Sequence, residues 1–206
     1  MNCESKRKPL LIGLTGGIAC GKSAVSKRLA SKGALIVDAD VIARNILTPD
    51  SEGLKQVVEV WGKDILNDNH ELDRVKLGKK VFADPKARKI LEGITHPLIA
   101  QESTRQVQEA MAKQPPLVVY DAALLIEAGR AEYFRPLIVV STTANIQIER
   151  LRNRDQLSEK EARARIESQM SLAEKEALAD HLIFNDGDWH QLDQQINALW
   201  HQLMTV

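Results

Sequence analysis

Residues 10–31 read LLIGLTGGIACGKSAVSKRLAS, and the predicted architecture follows from this segment. The run from Leu10 to Thr15 is apolar, which predicts a short buried strand. Gly16–Ser23 comes next and fits the pattern G-x-x-x-x-G-K-S. The glycines of this pattern let successive backbone N–H groups turn toward a polyphosphate, and the next helix points the positive end of its dipole at it. Gly16–Ser23 is therefore predicted to be a phosphate-binding loop for a nucleoside triphosphate.

Two side chains at the end of this loop carry the expected chemistry. Lys22 is predicted to reach the β- and γ-phosphates, and the hydroxyl of Ser23 is placed to bind Mg²⁺. A helix should follow, because Val25 and Leu29 recur on one apolar face and Gly33 is typical of a helix C-terminus.

The composition excludes several kinds of partner. Basic and acidic residues balance at 28 each, so we expect no bulk charge that would favour nucleic acid or an anionic membrane surface. No apolar run approaches the ~20 residues that a membrane-spanning helix requires. The two cysteines, Cys3 and Cys20, are too few for a disulfide framework, which favours a reducing, cytoplasmic location.

Four more apolar segments alternate with helical patterns, which predicts an α/β fold with a parallel sheet. These predicted strands are 34–37, 117–121, 136–141 and 181–184. We expect one domain, with a core of 10–45, 115–150 and 179–206, a helical insertion at about 46–114 and a helical lid at about 151–178.

Asp38 and Asp40 follow the second predicted strand, at the end where open parallel sheets place their ligands. If the strand continued through them, both carboxylates would project from the same side. Either acid is suited to cap a helix predicted to begin at Val41, but two caps would be redundant. The pair therefore predicts one structural acid and one functional acid, and we assign the chemistry to Asp40.

Two acids follow the third strand in the same way. In phosphate-loop proteins a strand of this form supplies the carboxylate that holds Mg²⁺, which makes Asp121 the predicted metal residue, acting through water. Glu127 lies near the same strand end.

In the helical insertion, His96–Pro97 predicts a kink or a new helix start, because the residue before proline is disfavoured in helices. A lone histidine is usually structural.

The lid segment is rich in arginine. Arg150, Arg152 and Arg154 precede a capping box at Ser158–Glu161, and Arg163 and Arg165 follow it. A solvated charged face is the ordinary interpretation. The density of guanidinium groups in a chain with a triphosphate site favours a mobile lid that places them over the transferring phosphoryl group.

Taken together, these residues resemble the dephospho-coenzyme A kinase family. The resemblance rests on Gly16–Ser23, Asp38–Arg44, His96–Ile99, Leu124–Glu127, Arg150–Asp155, Arg165, Ile166, Gln169, Ala179–Asp180 and Asn185–Gly187. It implies a P-loop kinase fold, with a five-stranded parallel sheet flanked by helices, a helical acceptor-binding insertion and a helical lid. It also implies transfer of the γ-phosphoryl group of ATP to the ribose 3′-hydroxyl of dephospho-coenzyme A, the last step of coenzyme A synthesis, with Mg²⁺ as cofactor.

The resemblance further implies site residues. The catalytic residues would be Asp40 as the base, Lys22 and Arg154. The ATP-binding residues would be Gly17, Ile18, Ala19, Cys20, Gly21, Lys22, Ser23, Ala24, Arg150 and Asn185. The acceptor-binding residues would be Thr15, Asp40, His96 and Glu127. This chain departs from the family pattern at Ala123, where a proline is common, and at Phe184, where an acid is usual.

Other activities are compatible with a phosphate-binding loop. The nearest rival is a small-molecule kinase of the nucleoside monophosphate or shikimate type, against which the Asp-Ala-Asp and His-Pro segments favour the coenzyme A precursor. A GTPase-type switch would read guanine with an Asn-Lys-x-Asp loop, and the sequence contains no such tetrapeptide. An ATPase acting on nucleic acid should show a basic face, which the balanced charge disfavours.

Overall fold

A computed structural model describes residues 8–205, which contain one five-stranded sheet. Its strands are β1 (Leu10–Gly16), β2 (Leu35–Asp38), β3 (Leu117–Asp121), β4 (Leu137–Ser141) and β5 (His181–Phe184). The strand order is β2-β3-β1-β4-β5, and β1 pairs in parallel with both β3 and β4. All residues of β3 and β4 are buried, as expected for parallel strands covered on both faces. The predicted five-stranded parallel sheet is confirmed.

The described residues contain nine helices. They are α1 (Lys22–Ser31), α2 (Ala39–Asn45), α3 (Glu52–Trp61), α4 (Arg74–Ala83), α5 (Pro85–Ala112), α6 (Ala144–Asp155), α7 (Glu159–Glu167), α8 (Leu172–Ala177) and α9 (Trp189–Thr205). Short 3₁₀ turns occur at Lys63–Ile65 and Ala131–Tyr133. None of the helices in this part of the chain is long and apolar enough to cross a membrane.

The apolar core packs α1 and α9 against the sheet. Val25 and Leu29 of α1 and Ile196 of α9 join the buried strand residues Ile12 and Leu14 in one cluster. Because α1 follows β1 after a short loop, this packing fixes the helix N-terminus at the carboxyl end of the strand.

The chain forms two compact units. One comprises the described residues up to Val37 and from Glu109 onward, and the other is Asp38–Gln108. The second unit has its own apolar cluster, which contains Leu47, Val57, Ile65 and Leu77. The predicted insertion, 46–114, covers most of the second unit, whereas the predicted core segment 10–45 ends inside it.

Of the two alternatives predicted at His96–Pro97, a kink or a new helix start, the second was wrong. α5 is continuous over 28 residues with Pro97 inside it, so no new helix begins at His96–Pro97. Proline removes one helical hydrogen bond and disfavours a helical residue before it, but both are local penalties. Leu91 and Ile94, one turn earlier, pack against the apolar cluster of this unit, which stabilises the helix there.

Candidate active site

The phosphate-binding loop joins β1 to α1 with an unusual backbone. Ala19 and Gly21 have φ angles of 59° and 90°, in the left-handed region. Gly21 is the N-cap of α1 and provides no side-chain cap. The positive end of the helix dipole is therefore directed at the loop without a capping side chain, as an anion-binding loop requires.

Close packing leaves little room for a side chain at two glycines of this loop, and at Gly21 the backbone conformation favours glycine as well. A Cβ atom on Gly21 would overlap the side-chain amide of Asn185. A Cβ atom on Gly17 would lie 2.8 Å from Leu172 Cδ2 and 2.9 Å from Gln147 Nε2. Larger residues would therefore push the loop away from its supporting side chains.

Asn185 and Arg150, both predicted to bind ATP, contact the backbone of the loop. Asn185 is 3 % exposed, and its Nδ2 donates to the Cys20 carbonyl at 2.8 Å. Arg150 donates to the Ala19 carbonyl at 3.2 Å and to the Asn185 carbonyl at 2.8 Å. These bonds occupy carbonyl oxygens of the loop, an arrangement that suits a loop whose N–H groups bind an anion.

Two glutamines hold the tip of the same loop. Gln147 Nε2 donates to the Ile18 carbonyl at 2.7 Å, and the Ile18 N–H donates to Gln169 Oε1 at 2.9 Å. Sequence reasoning missed the role of Gln147. Its spacing of three residues from Arg150 on α6 was the available signal, because residues three apart share a helix face.

Lys22 and Asp121 form an ion pair at the carboxyl ends of β1 and β3. Asp121 is 3 % exposed, and the pairing of Leu14 with Asp121 sets its position beside the loop. The structure thus brings together the predicted phosphate-binding lysine and the predicted metal carboxylate.

The same end of the first unit offers oxygen donors for a divalent cation. Ser23 is the second residue of α1 and is exposed, and the Asp121 carboxylate lies beside Lys22. Hydroxyl and carboxylate oxygens fit Mg²⁺, which binds few protein ligands together with phosphate oxygens and water. Within residues 8–205 there is no group of three or more His, Cys, Asp or Glu residues that could hold a metal ion.

Arg154 and Arg165, two arginines of the predicted lid, are paired with Asp155. Arg154 Nε and Nη2 lie 2.8 Å and 2.9 Å from the two oxygens of Asp155, and Arg165 Nη1 lies 2.7 Å from Asp155 Oδ2. These hydrogen bonds, chiefly the one from Arg154, lower the pKa of Asp155. The Arg154 side chain is 60 % exposed, so its guanidinium is accessible to a bound anion.

The predicted acceptor residues of the first unit lie around the loop after β3. The Thr15 hydroxyl is fully buried and donates to the Ala123 carbonyl at 3.1 Å. Glu127 Oε1 lies 2.7 Å from Lys175 Nζ. The structure gives Thr15 a contact within the chain, and its contact with an acceptor stays a prediction.

The remaining predicted residues lie in the second unit. Asp38 is the N-cap of α2 and accepts from the Val41 N–H at 2.9 Å, which confirms one structural acid in the pair. The helix begins at Ala39, two residues earlier than predicted, so Asp40 lies in its first turn and the strand does not continue through both acids. Asp40 is partly exposed, and His96 is exposed on α5.

Cys20 is a buried free thiol within the loop. Burial is the main cause that raises its pKa from the ordinary value of 9.0 to about 11. A protonated, buried thiol is a weak nucleophile, so Cys20 acts as a small packing residue here. Cys3 lies outside the described residues.

The chain is similar to known proteins over nearly its whole length. The sequence model of the dephospho-CoA kinase family matches residues 10–191. A dephospho-CoA kinase of Syntrophotalea carbinolica is 43 % identical over 195 residues, covering 95 % of this chain and 92 % of the relative.

Two solved structures are similar as well. A protein of Thermus thermophilus matches with a TM-score of 0.80 and 29 % identity, over 96 % of this chain and 99 % of that one. A dephospho-CoA kinase of Campylobacter jejuni matches with a TM-score of 0.71 and 31 % identity, over 94 % of this chain and 96 % of that one.

Proposed function

The chain belongs to the dephospho-CoA kinase family, and from this we propose that it transfers the γ-phosphoryl group of ATP to the ribose 3′-hydroxyl of dephospho-coenzyme A. The products are coenzyme A and ADP, which makes this the last step of coenzyme A synthesis. The geometric observation that best supports the proposal is the glycine-lined loop with Lys22 paired to Asp121 at its end.

The loop and Lys22 account for nucleotide binding. Backbone N–H groups at the start of α1 bind the polyphosphate, and Lys22 moves from Asp121 to the β- and γ-phosphate oxygens. Arg150 and Asn185 donate to the Ala19 and Cys20 carbonyls of the loop, so we assign them a positioning role in ATP binding.

Mg²⁺ is the proposed cofactor, bound by the Ser23 hydroxyl and, through water, by Asp121. When bound with ATP, the ion neutralises phosphate charge. When Lys22 moves from Asp121 to the phosphates, the lysine would gain a phosphate and the carboxylate would gain a hydrated cation.

Asp40 is the proposed catalytic base. In a loose transition state the proton of the attacking hydroxyl leaves late, so an ordinary carboxylate is sufficient. Its place in the first turn of α2 leaves the N-cap function to Asp38, and the Asp40 carboxylate is not needed as the cap. His96 and Glu127 are proposed to bind the acceptor.

Arg154 is proposed to stabilise charge on the transferring phosphoryl group. It is already paired with Asp155, so binding of phosphate exchanges one anion for another. Arg165 remains available to Asp155 after that exchange, which reduces the energetic cost of releasing Arg154. Closure of the segment 151–178 would exclude water, which otherwise competes with the acceptor.

The test is an acceptor comparison. The protein is incubated with Mg·ATP and dephospho-coenzyme A, AMP, shikimate or no acceptor, and ADP release is followed. Among these acceptors, we expect only dephospho-coenzyme A to give rapid ADP release. Faster release with AMP or shikimate would favour the rival kinases, and equal release without acceptor would favour a nucleotide hydrolase.

Cys20 is a free thiol, which suits the reducing cytoplasm that we propose as the location.

A further inference from the structure

Lys175 on α8 is a fully buried lysine. Its Nζ lies 2.7 Å from Glu127 Oε1 and donates to the Ala123 carbonyl at 3.3 Å. Burial of an ammonium group is unfavourable unless the charge is paired and hydrogen-bonded. A lysine at the surface could form an ion pair with an exposed acid without this cost. The burial of Lys175 against the loop after β3 therefore indicates a specific role.

The partners of Lys175 belong to one loop. The Ala123 carbonyl accepts from Lys175 and from the buried Thr15 hydroxyl, and the Ala122 N–H donates to the Leu14 carbonyl at 3.0 Å. This loop directly follows Asp121. It is therefore held by β1 on one side and by α8 on the other.

Glu127 lies in a turn of this loop. It is followed by Gly129, which has a φ angle of 65°, and its side chain is 21 % exposed. A glutamate in a turn has several accessible rotamers, and the Lys175 contact selects one of them. The neighbouring acid of α8, Glu176, bonds to the Ser141 hydroxyl instead, so Glu127 is the carboxylate that Lys175 holds.

We propose that Lys175 is a positioning residue for the acceptor, acting by fixing the Glu127 carboxylate and the Ala123 carbonyl. This inference rests on the proposed function, in which Glu127 binds the acceptor. The substrate group it serves carries hydrogen-bond donors, as the ribose hydroxyls of dephospho-coenzyme A do, because Glu127 offers a carboxylate. The residues proposed to bind ATP are others, so the loss on removing Lys175 is expected chiefly in acceptor binding.

The test compares Lys175→Met, which keeps the length of the side chain but removes the charge, with Lys175→Arg and Glu127→Gln. The exposed Lys113→Met is the matched control. Initial rates give kcat and the KM of each substrate, calorimetry gives the Kd of dephospho-coenzyme A, and thermal unfolding reports folding.

We expect Lys175→Met to raise the KM and Kd for dephospho-coenzyme A about tenfold, with the KM for ATP nearly unchanged. Lys175→Arg should recover most of the loss, and Glu127→Gln should reproduce it. The double variant should be no worse than either single variant, because both remove the same contact. Lys113→Met should behave as wild type.

Other outcomes overturn the inference. A Lys175→Met protein with wild-type affinity for dephospho-coenzyme A contradicts it, as does an equal rise in both KM values with a lower melting temperature. If Lys175→Met does not fold, Glu127→Gln with unchanged acceptor affinity refutes it. A wild-type protein that binds dephospho-coenzyme A without ADP release refutes the proposed function alone, and one that does not bind it refutes both.

Discussion

Replacing Lys22 by methionine should affect catalysis and folding separately, and the two effects can be measured apart. The side chains of Lys22 and Asp121 are 14 % and 4 % exposed, so the substitution removes the cation from a nearly buried carboxylate. Breaking a buried pair by removing one partner costs about 3–5 kcal/mol. Because Lys22 keeps some exposure and water can replace part of its contact, we expect the lower end, about 3 kcal/mol.

This energy predicts a measurable shift in unfolding. For a chain of this size each kcal/mol corresponds to a change of about 2–4 °C in Tm, so Lys22→Met should lower Tm by about 6–12 °C. Phosphoryl transfer should be abolished because the ammonium group proposed to contact the β- and γ-phosphates is missing. The double variant Lys22→Met/Asp121→Asn should recover most of the lost stability while remaining inactive.

The assay combines thermal unfolding by circular dichroism with ADP release in the same preparations. Asp121→Asn alone completes the cycle. The Lys22–Asp121 ion pair does not stabilise the fold as stated if the Tm of Lys22→Met equals that of wild type. The same follows if the double variant is no more stable than Lys22→Met. A folded Lys22→Met protein with unchanged transfer would refute the assignment of the loop.

Three other perturbations give independent checks. Asp40→Asn should lower kcat by about 10²–10⁴-fold while the Kd for ATP stays the same. If the same kinetics show the loss in Asp38→Asn and not in Asp40→Asn, the base is Asp38 and its assignment to Asp40 is wrong. Gly21→Ala should destabilise the chain by about 2–4 kcal/mol, since the new methyl displaces the Asn185 amide and the φ of 90° is strained for alanine; urea unfolding that matches wild type would contradict this. Because burial raises the pKa of Cys20 to about 11, native wild-type protein and Cys20→Ser should show the same number of thiols reactive with a disulfide reagent at neutral pH, and should differ by one only in denaturant. The pKa of Cys20 in the folded chain lies above the ordinary 9.0, so the buried, protonated thiol contributes to the stability of the fold below pH 9.0. This contribution is lost as the pH rises toward 11.

Local pattern was sufficient to predict most of the fold. The strands were found because apolar runs such as Leu117–Asp121 are bounded by turn residues and acids, and the G-x-x-x-x-G-K-S pattern placed the loop between strand and helix. Asp38 was recognised as a candidate cap from its residue type and position alone. These features depend on residues close together in sequence.

The features that sequence did not predict depend on distant contacts. Pro97 reads locally as a break, but packing within the second unit keeps α5 intact. Gln147 reaches the Ile18 carbonyl across 129 positions, and its spacing from Arg150 indicates a shared helix face without indicating which distant carbonyl it contacts. Lysine is almost never fully buried unless it is paired, so the sequence of α8 alone would place Lys175 at the surface.

Transfer of the γ-phosphoryl group to the ribose 3′-hydroxyl is measured most directly by ³¹P NMR of a reaction containing Mg·ATP and dephospho-coenzyme A. If the loop presents the γ-phosphoryl group to an alcohol, ADP should form together with an equal amount of a new phosphomonoester on the ribose 3′-oxygen. Formation of ADP with inorganic phosphate, or of an ester at another position, would contradict the account.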